Sequence, residues 1–229
     1  KIKYGEKLGS KYADKVIVIS KVIDSILKKN YNRNDAILIY NGVTIPKKSN
    51  DTSYIKSLEI NKNGYIIAVG RFVEEKGFTD LIEAYSKIDT KLKLVLVGDA
   101  DHDTQYSKDL KEKAKKSGVV MTGFIKGEKL DQIFSHAKLF VLPSYHEGLP
   151  ISLLEAMSYD LDLLVSDIPA NLEVNLEKDD YFNVGDIQKL TESLKRKLSV
   201  KNKRDFSSVI NEKYNWDIIA NKFSNILVD

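Results

Sequence analysis

Residues 137–155 read Ala137-Lys138-Leu139-Phe140-Val141-Leu142-Pro143-Ser144-Tyr145-His146-Glu147-Gly148-Leu149-Pro150-Ile151-Ser152-Leu153-Leu154-Glu155. The apolar run at 137–142 predicts a buried parallel strand, and Pro143-Ser144 breaks it before a Gly-Leu-Pro turn. Pro150 then predicts the first position of a helix, because its missing N–H would have no partner there. The free N–H groups around it carry the positive end of the helix dipole, which attracts phosphate.

Two carboxylates, Glu147 and Glu155, stand eight positions apart around this predicted helix start. Glu147 would lie at the rim of a pocket and Glu155 on the second helical turn, where each carboxylate can accept bonds from neighbouring hydroxyls. Such an arrangement suits an anionic ligand that bears sugar hydroxyls. A glutamate near a helix start is also ordinary dipole compensation, so the spacing alone leaves both interpretations open.

The composition is that of a globular chain without cysteine. Of the 229 residues, 42% are hydrophobic and 30% charged, which excludes disorder, and the length allows either a single large α/β domain or one domain with an appendage. The 36 Lys and Arg against 33 Asp and Glu leave a charge of +3 with alternating signs, so nucleic acid is not an expected partner. No apolar run reaches membrane-span length and the first residues do not resemble a signal peptide, so we expect a cytoplasmic protein.

Apolar runs and amphipathic segments alternate along the chain. A first βαβ unit has strands at 16–20 and 36–40 and a helix at 21–30, for which Ser20 suits the N-cap. The polar stretch 42–64 marks the main boundary. Beyond it the pattern predicts strands at 65–69, 92–97, 119–122, 139–142 and 161–166, and helices at 78–88, 105–116, 129–136, 150–158, 187–198 and 216–227. Five strands with intervening helices predict a doubly wound, Rossmann-like parallel sheet of the α/β class.

Two cations share the loop that follows the strand at 65–69. In a doubly wound sheet the ligand lies beyond the carboxyl ends of the strands. There Arg71 and Lys76 could clamp a diphosphate, Arg71 as a fork and Lys76 as a point charge. The alternative is a solvated loop in which Arg71 pairs with Glu74 or Glu75.

Two further strand-end loops have less specific sequences. Gly98-Asp99-Ala100-Asp101-His102-Asp103 resembles a calcium loop, but Thr104 stands where glycine is required and Leu110 where glutamate is required. We therefore predict an acidic surface loop in which His102 is solvated. The turn Gly123-Phe124-Ile125-Lys126-Gly127 could offer backbone groups to a base or be a simple βα loop.

Other common site motifs are absent from the sequence. There is no Gly-x-Gly-x-x-Gly, no Walker lysine loop and no Gly-x-Ser-x-Gly elbow, which argues against dinucleotide oxidoreductases, P-loop enzymes and α/β-hydrolases. His146, beside Glu147, could act as an acid or base, but a histidine in a polar loop is more often solvated.

Several motifs occur in order: Gly70-Arg71, Lys76-Gly77, Val97-Gly98-Asp99, Thr122-Gly123-Phe124, and Pro143-Ser144-Tyr145-His146-Glu147-Gly148-Leu149-Pro150 with Glu155-Ala156-Met157. Together they resemble the donor-binding half of a GT-B glycosyltransferase, in particular retaining glycosyltransferase family 4. Residues 13–20 and 39–43 resemble the end of the family's first domain and its crossover, and 214–216 the start of its terminal helix. The resemblance implies a remnant of the N-terminal domain with the crossover at 1–48, a donor-binding domain at 62–200, and a C-terminal segment with a return helix at 201–229.

The resemblance also assigns roles at the matching positions. Arg71 and Lys76 would neutralise the diphosphate of a UDP- or GDP-linked sugar, with helix-start N–H groups in place of a metal, so no cofactor is expected. Glu147 would bind the hydroxyls of the transferred sugar and Glu155 those of the ribose. The implied catalytic set is Arg71, Lys76 and Glu147, and the donor-binding set is Gly70, Gly123, Phe124, Ile125, Gly148, Leu149, Pro150 and Glu155.

The chain departs from the family in two respects. After Glu155-Ala156-Met157 the family has a Gly-x-Pro before its next strand, whereas here Ser158-Tyr159 lead into Asp160-Leu161-Asp162 without either residue, and most of the acceptor-binding first domain is missing. We therefore expect a fragment that binds the donor but is inactive alone, with a glycan, a lipid-linked glycan or a protein as acceptor in glycoconjugate biosynthesis. Peripheral membrane contact of the full-length protein remains open. A sugar-nucleotide epimerase and a non-catalytic nucleotide-binding module are the alternatives.

Overall fold

A computed structural model describes residues 2–200 and 204–228. In these ranges the strands are β1 (Ile17–Val18), β2 (Ile37–Leu38), β3 (Tyr65–Val69), β4 (Lys93–Val97), β5 (Val120–Met121), β6 (Leu139–Leu142), β7 (Asp162–Ser166) and β8 (Tyr181–Phe182). The helices are α1 (Ile2–Tyr12), α2 (Lys21–Tyr31), α3 (Ser53–Ser57), α4 (Phe78–Ser86), α5 (Gln105–Lys116), α6 (Glu128–His136), α7 (Ile151–Ser158), α8 (Pro169–Leu172), α9 (Ile187–Ser199), α10 (Ser207–Lys213) and α11 (Trp216–Val228).

The first unit has the predicted βαβ arrangement. β1 and β2 pair in parallel and α2 connects them. Ser20 is the N-cap of α2, and its side chain accepts a hydrogen bond of 3.2 Å from the Ile23 N–H. The sequence did not predict α1, which precedes this unit.

The main sheet is parallel throughout and has the order β5-β4-β3-β6-β7-β8. The strand order reverses between β3 and β6, as in a doubly wound Rossmann-like sheet, so the predicted fold class is confirmed. A sixth strand, β8, was not predicted, because its two residues, Tyr181 and Phe182, form too short a run to produce a pattern.

Both faces of this sheet are covered by apolar side chains. Ile66 and Ile67 are neighbours in β3 and both are fully buried, yet they belong to separate cores on the two faces of the sheet. Val141 and Phe140 divide in the same way in β6. This two-sided burial explains why the central strands are continuous apolar runs and why the sequence located them well.

The position of Pro150 corrects one prediction. Helix α7 begins at Ile151, and Pro150 precedes it as the cap with φ −79° and ψ 80° instead of being its first residue. The Pro150 carbonyl already accepts the first helical hydrogen bonds, from Leu153 at 3.0 Å and Leu154 at 3.2 Å. The fixed φ of proline suits both positions, so only ψ, which the sequence does not determine, distinguishes them.

The last helix returns to the beginning of the chain. Val43 forms a parallel bridge with Asn215, and the Trp216 ring lies so close to Gly42 that a Cβ there would be 2.7 Å from it. The Lys15 ammonium also donates to the Ile226 carbonyl at 2.8 Å. The division at 1–48, 62–200 and 201–229 remains a prediction, and its last boundary lies outside the described residues.

A buried ionic cluster holds the C-terminal segment at the edge of the sheet where β7 and β8 begin. Lys197 donates to Asp162 at 2.8 Å and to Asp180 at 2.6 Å, and the Lys197 side chain is only 3% exposed. Arg204 reaches the same site and pairs with Asp180, and with Glu177 at 2.9 Å. Because Lys197 of α9 and Arg204 both contribute cations, the cluster joins α9 and the segment that begins at Arg204 to the sheet.

We expect Lys197→Met to destabilise the fold by about 3–5 kcal/mol, because it leaves buried carboxylates without one of their cations. Urea unfolding of the variant and the parent chain measures this difference. Lys195→Met, two residues earlier on the exposed side of α9, is the matched control and should change the free energy of unfolding by less than about 0.5 kcal/mol. Equal effects of the two substitutions would show that the cluster has no stabilising role.

Candidate functional site

The candidate site lies at the carboxyl edge of the sheet, where the order of the strands reverses. The chain leaves β3 into Gly70 and Arg71, and it leaves the adjacent β6 into Pro143 and Ser144. Connections from neighbouring parallel strands diverge at such a point and leave a crevice between them. The loops that the sequence singled out are therefore brought to one edge.

Two glycines allow these loops to approach closely. Gly77 has φ +65°, and a Cβ on it would lie 2.2 Å from the Pro143 carbonyl oxygen. Gly98 has φ +129°, and a Cβ there would lie 2.0 Å from the Gly70 carbonyl oxygen. Only glycine adopts these backbone conformations without strain and leaves the required space. The loops after β3, β4 and β6 therefore pack directly on one another.

The centre of this contact is a pair between Lys76 and Glu147. The Lys76 Nζ lies 2.7 Å from Glu147 Oε1, and the two side chains are only 15% and 9% exposed. Ser144 Oγ donates to the same Oε1 at 2.7 Å. Glu147 Oε2 accepts no hydrogen bond from any described residue. The sequence predicted both charged residues as site residues but not that they bind each other.

Arg71 lies at the surface of the same loop. Its guanidinium contacts Asp101 at 3.0 Å and Glu75 at 3.8 Å, and the side chain is 58% exposed. Hydrogen bonding to Asp101 raises the pKa of Arg71 above its ordinary value. Exposed pairs of this kind contribute little to stability, so Arg71 is available to another anion. The pairing with Glu75 matches the solvated-loop alternative, whereas Asp101 is the nearer partner.

A cavity of about 490 Å³ lies beside this loop. Its lining combines Gly70, Arg71, Phe124, Ile125 and Glu155, which all belong to the predicted set. The other lining residues are Val69, Val97, Gly98, Asp99, Ala100, Asp101, Lys126 and Leu130.

The remaining predicted residues do not line the cavity. They are Lys76, Gly123, Glu147, Gly148, Leu149 and Pro150. Lys76 lies next to the lining residue Gly70, because a Cβ on Gly70 would be 3.5 Å from the Lys76 side-chain carbons. Gly123, with φ +66°, accepts a hydrogen bond of 3.0 Å from the Gly98 N–H and so anchors the turn that presents Phe124. Phe124 is 80% exposed at the rim.

Glu155 is the half-buried carboxylate of this cavity. It accepts no hydrogen bond and forms no ion pair with any described residue, and burial raises its pKa above the ordinary value of 4.5. Glu155 also lines a second cavity of about 370 Å³, together with residues 42–47 and Trp216. A half-buried carboxylate without donors is suited to a ligand that supplies them.

The start of α7 offers backbone donors next to Glu147. The N–H groups of Gly148 and Leu149 donate to no described residue, and Pro150 has no N–H. A Cβ on Gly148 would lie 3.8 Å from Ile23 of α2, so the first unit of the chain adjoins this helix start.

The acidic loop and two of the three histidines are at the surface. Asp99 pairs with Lys111 at 2.7 Å, while His102 and His146 are exposed. In the described part of the chain, no group of three or more His, Asp or Glu side chains is arranged to hold a metal ion. Within those same residues, none of the helices combines the length and apolar character needed to cross a membrane.

Sequence reasoning did not find the roles of Asp101 and Ser144. Val69 and Val97 pair in register, so Arg71 and Asp101 follow neighbouring strand ends. This register was the signal that could have predicted the contact between their side chains. For Ser144 the signal was its position three residues before Glu147 at the same strand end.

The sheet and the loops at its carboxyl edge define a Rossmann-like GT-B glycosyltransferase domain. Residues 50–213 match the family described as Glycosyl transferases group 1, and since this match includes well over half of the chain, the protein belongs to that family.

A putative teichuronic acid biosynthesis glycosyltransferase of Bacillus subtilis, TuaC, is 32% identical over 102 residues, which are 44% of this chain and 24% of that protein. An uncharacterized glycosyltransferase of Methanocaldococcus jannaschii is 28% identical over an alignment of 244 residues, with 96% of this chain and 61% of that protein covered.

Solved structures have the same fold. Sucrose-phosphate synthase of Thermosynechococcus elongatus superposes with a TM-score of 0.82 at 22% identity, over 97% of this chain and 59% of that one. HepE of Anabaena in complex with UDP superposes with a TM-score of 0.85 at 19% identity, over 99% of this chain and 67% of that one. The chain thus spans only 24% and 61% of the two curated relatives described above.

We expect Glu155→Gln to raise the melting temperature of the ligand-free protein at pH 7. The folded-state pKa of Glu155 lies above its ordinary value of 4.5, so ionisation opposes folding once the pH exceeds 4.5. Below that pH the carboxyl is protonated in both the folded and unfolded states, and the advantage of the variant should disappear.

Thermal melts at pH 7 and pH 4 measure this difference. In a domain of this size the melting temperature should shift by about 2–4 °C for each kcal/mol of change in the free energy of unfolding. Glu59→Gln, at an exposed position, is the control and should leave the melting temperature unchanged at both pH values. A variant less stable than the parent at pH 7 would contradict the raised pKa of Glu155 and the absence of protein donors to its carboxylate.

Proposed function

We propose that this chain is the donor-binding part of a glycosyltransferase and binds a nucleoside-diphosphate sugar at the carboxyl edge of its sheet. The observation that carries this proposal is the 490 Å³ cavity, in which a cation, an exposed aromatic ring and a carboxylate without a protein donor meet, namely Arg71, Phe124 and Glu155. These three groups match the chemistry of a phosphate, a base and a ribose. Membership of the glycosyltransferase family supports a sugar nucleotide as the ligand.

The nucleoside would bind between Glu155 and the turn at Gly123, Phe124 and Ile125. The carboxylate of Glu155 would accept hydrogen bonds from both ribose hydroxyls, and its missing donors would then be supplied. Phe124 would stack on the base at the rim. The HepE structures, determined with UDP and with UDP-glucose, support a nucleotide sugar bound in this fold, and the ligand here would be UDP- or GDP-linked.

The diphosphate would be bound by Arg71 and Lys76 and by the N–H groups at the start of α7. Arg71 would exchange its exposed contact with Asp101 for phosphate oxygens, which it can bind as a fork. The N–H groups of Gly148 and Leu149 would add the positive end of the helix dipole. These donors are in place before the reaction, so they would stabilise the negative charge that develops on the departing diphosphate without a metal ion.

Glu147 would bind the sugar that is transferred. Its Oε1 already accepts hydrogen bonds from Lys76 and Ser144, whereas Oε2 is free to accept a hydrogen bond from a hydroxyl of the sugar. The bond between the anomeric carbon and the diphosphate oxygen would break, the acceptor hydroxyl oxygen would form the new bond to that carbon, and the hydroxyl proton would pass to the departing nucleoside diphosphate. Retention of anomeric configuration follows from the resemblance to family 4 and stays a prediction, as do a cytoplasmic location and the acceptor, a glycan, a lipid-linked glycan or a protein.

We expect nucleotide binding to depend on Arg71 and Glu155. Arg71→Ala and Glu155→Ala should each weaken binding by about tenfold to a hundredfold, because each removes hydrogen bonds to a charged group. Calorimetric titration with UDP, GDP and their glucose and mannose conjugates, in EDTA to exclude divalent metals, measures the dissociation constants.

Lys87→Ala removes a cation paired with Glu83 at the far end of α4 and is the charge-matched control, with no expected effect on binding. Absence of binding to every nucleotide, or equal binding by the parent chain and both site variants, would refute the proposed function.

We expect the 229-residue chain to bind the donor but transfer little sugar. A GT-B active site is a cleft between two domains, and the chain spans 59% of the synthase and 67% of HepE. Radiolabelled sugar transfer by this chain and by a version extended at its amino end measures the difference. Transfer by the shorter chain at the rate of the longer one would disprove the fragment proposal, and binding without transfer by the longer chain would favour an epimerase or a non-catalytic module.

A further inference from the structure

A chain of buried hydrogen bonds lies behind Glu147. It consists of Asn171, Ser166 and Ser144, and all three residues are completely buried. Ser144 Oγ donates to Glu147 Oε1, so the chain ends at the carboxylate that also accepts the Lys76 ammonium. None of these three residues lines the 490 Å³ cavity. These three residues therefore do not act by contacting a nucleotide in that cavity.

The order of the sheet creates this chain. Leu142, the last residue of β6, pairs with Val165 of β7, so Ser144 and Ser166, the last residue of β7, lie at neighbouring strand ends. Ser166 Oγ donates to the Ser144 carbonyl oxygen at 2.5 Å. From α8, the Asn171 amide donates to the Ser166 carbonyl oxygen at 2.9 Å and to Ser166 Oγ at 3.1 Å.

These bonds restrict the orientation of Glu147. The Ser166 hydroxyl fixes the Ser144 backbone, which in turn places the Ser144 hydroxyl against Oε1. Lys76 donates to the same oxygen, so rotation of the carboxylate would break two hydrogen bonds in a nearly solvent-free position. Oε1 thus faces the protein, and Oε2 is left without a protein donor.

We propose that Ser144, Ser166 and Asn171 are positioning residues that hold Glu147 and Lys76 in the orientation needed to bind the sugar diphosphate. The inference rests on the proposed function and extends it to residues that do not contact the donor. It assigns a role to two serines that are completely buried.

The test compares two ligands that use different parts of the site. Uridine should contact only Glu155 and the turn at 123–125, whereas UDP-glucose should also contact Lys76 and Glu147. We expect Ser144→Ala and Ser166→Ala to weaken UDP-glucose binding about tenfold while uridine binding, followed by NMR titration, changes by less than about twofold. GDP-mannose and guanosine form the parallel series if the parent chain binds guanine nucleotides.

A double-mutant cycle distinguishes positioning from a general structural role. In the Glu147→Ala background, Ser144→Ala should have no further effect on UDP-glucose binding, because its hydrogen-bond acceptor is gone. Thr191→Val is the matched control, since it deletes one buried hydroxyl that donates to the Ile187 carbonyl in α9. It should leave both affinities at parental values.

Several outcomes would overturn the inference. They are equal weakening of uridine and UDP-glucose, additive effects in the double mutant, and Ser144→Ala behaving as Thr191→Val does. If thermal melts show that Ser144→Ala does not fold, Ser166→Ala decides the question, because it leaves both direct donors to Glu147 in place. A parent chain that binds neither nucleotide series would instead refute the proposed function.

Discussion

The structure depends on the pairing of β3 with β6 at the centre of a parallel sheet. These two strands are neighbours, but the chain leaves them in opposite directions, toward β4 on one side and β7 on the other. Both strands are buried on both faces, so polar groups for chemistry can occur only beyond their ends. The loops after β3 and β6 consequently share one crevice. Lys76 and Glu147 come together there although 70 residues separate them in the sequence.

The elements with strong periodic patterns were predictable. β3, α5 and β6 have the predicted boundaries, because continuous apolar runs and one amphipathic stretch define them. β8 was missed because it has two residues and is recognisable only from its pairing with β7. The start of α7 was placed one residue early, since proline fits both the cap and the first turn. Short elements and caps depend on tertiary contacts that a local pattern does not contain.

The sequence predicted which residues lie together at one edge of the sheet better than it predicted the partners of their side chains. Arg71, Phe124 and Glu155 line one cavity, because each follows or lies near a strand end on the same edge. The contacts of Arg71 with Asp101 and of Lys76 with Glu147 join different loops, and their geometry depends on strand register and loop path. Asp160 illustrates the same limit: it adopts φ 56° in the turn between α7 and β7, and hydrogen bonds from Lys48 and the Phe206 N–H hold this turn. Aspartate tolerates that conformation better than most residues.

The close approach at Gly77 has a thermodynamic consequence for recognition. Because the Pro143 carbonyl occupies the space of a missing Cβ, and the Tyr145 N–H donates to the Glu75 carbonyl at 2.8 Å, the two loops behave as one rigid surface. A ligand that binds such a surface does not have to order it, so little conformational entropy is lost on association. The entropy was lost when the chain folded, and the glycine backbone bore part of it. The anionic ligand proposed above would therefore meet two loops that are already ordered.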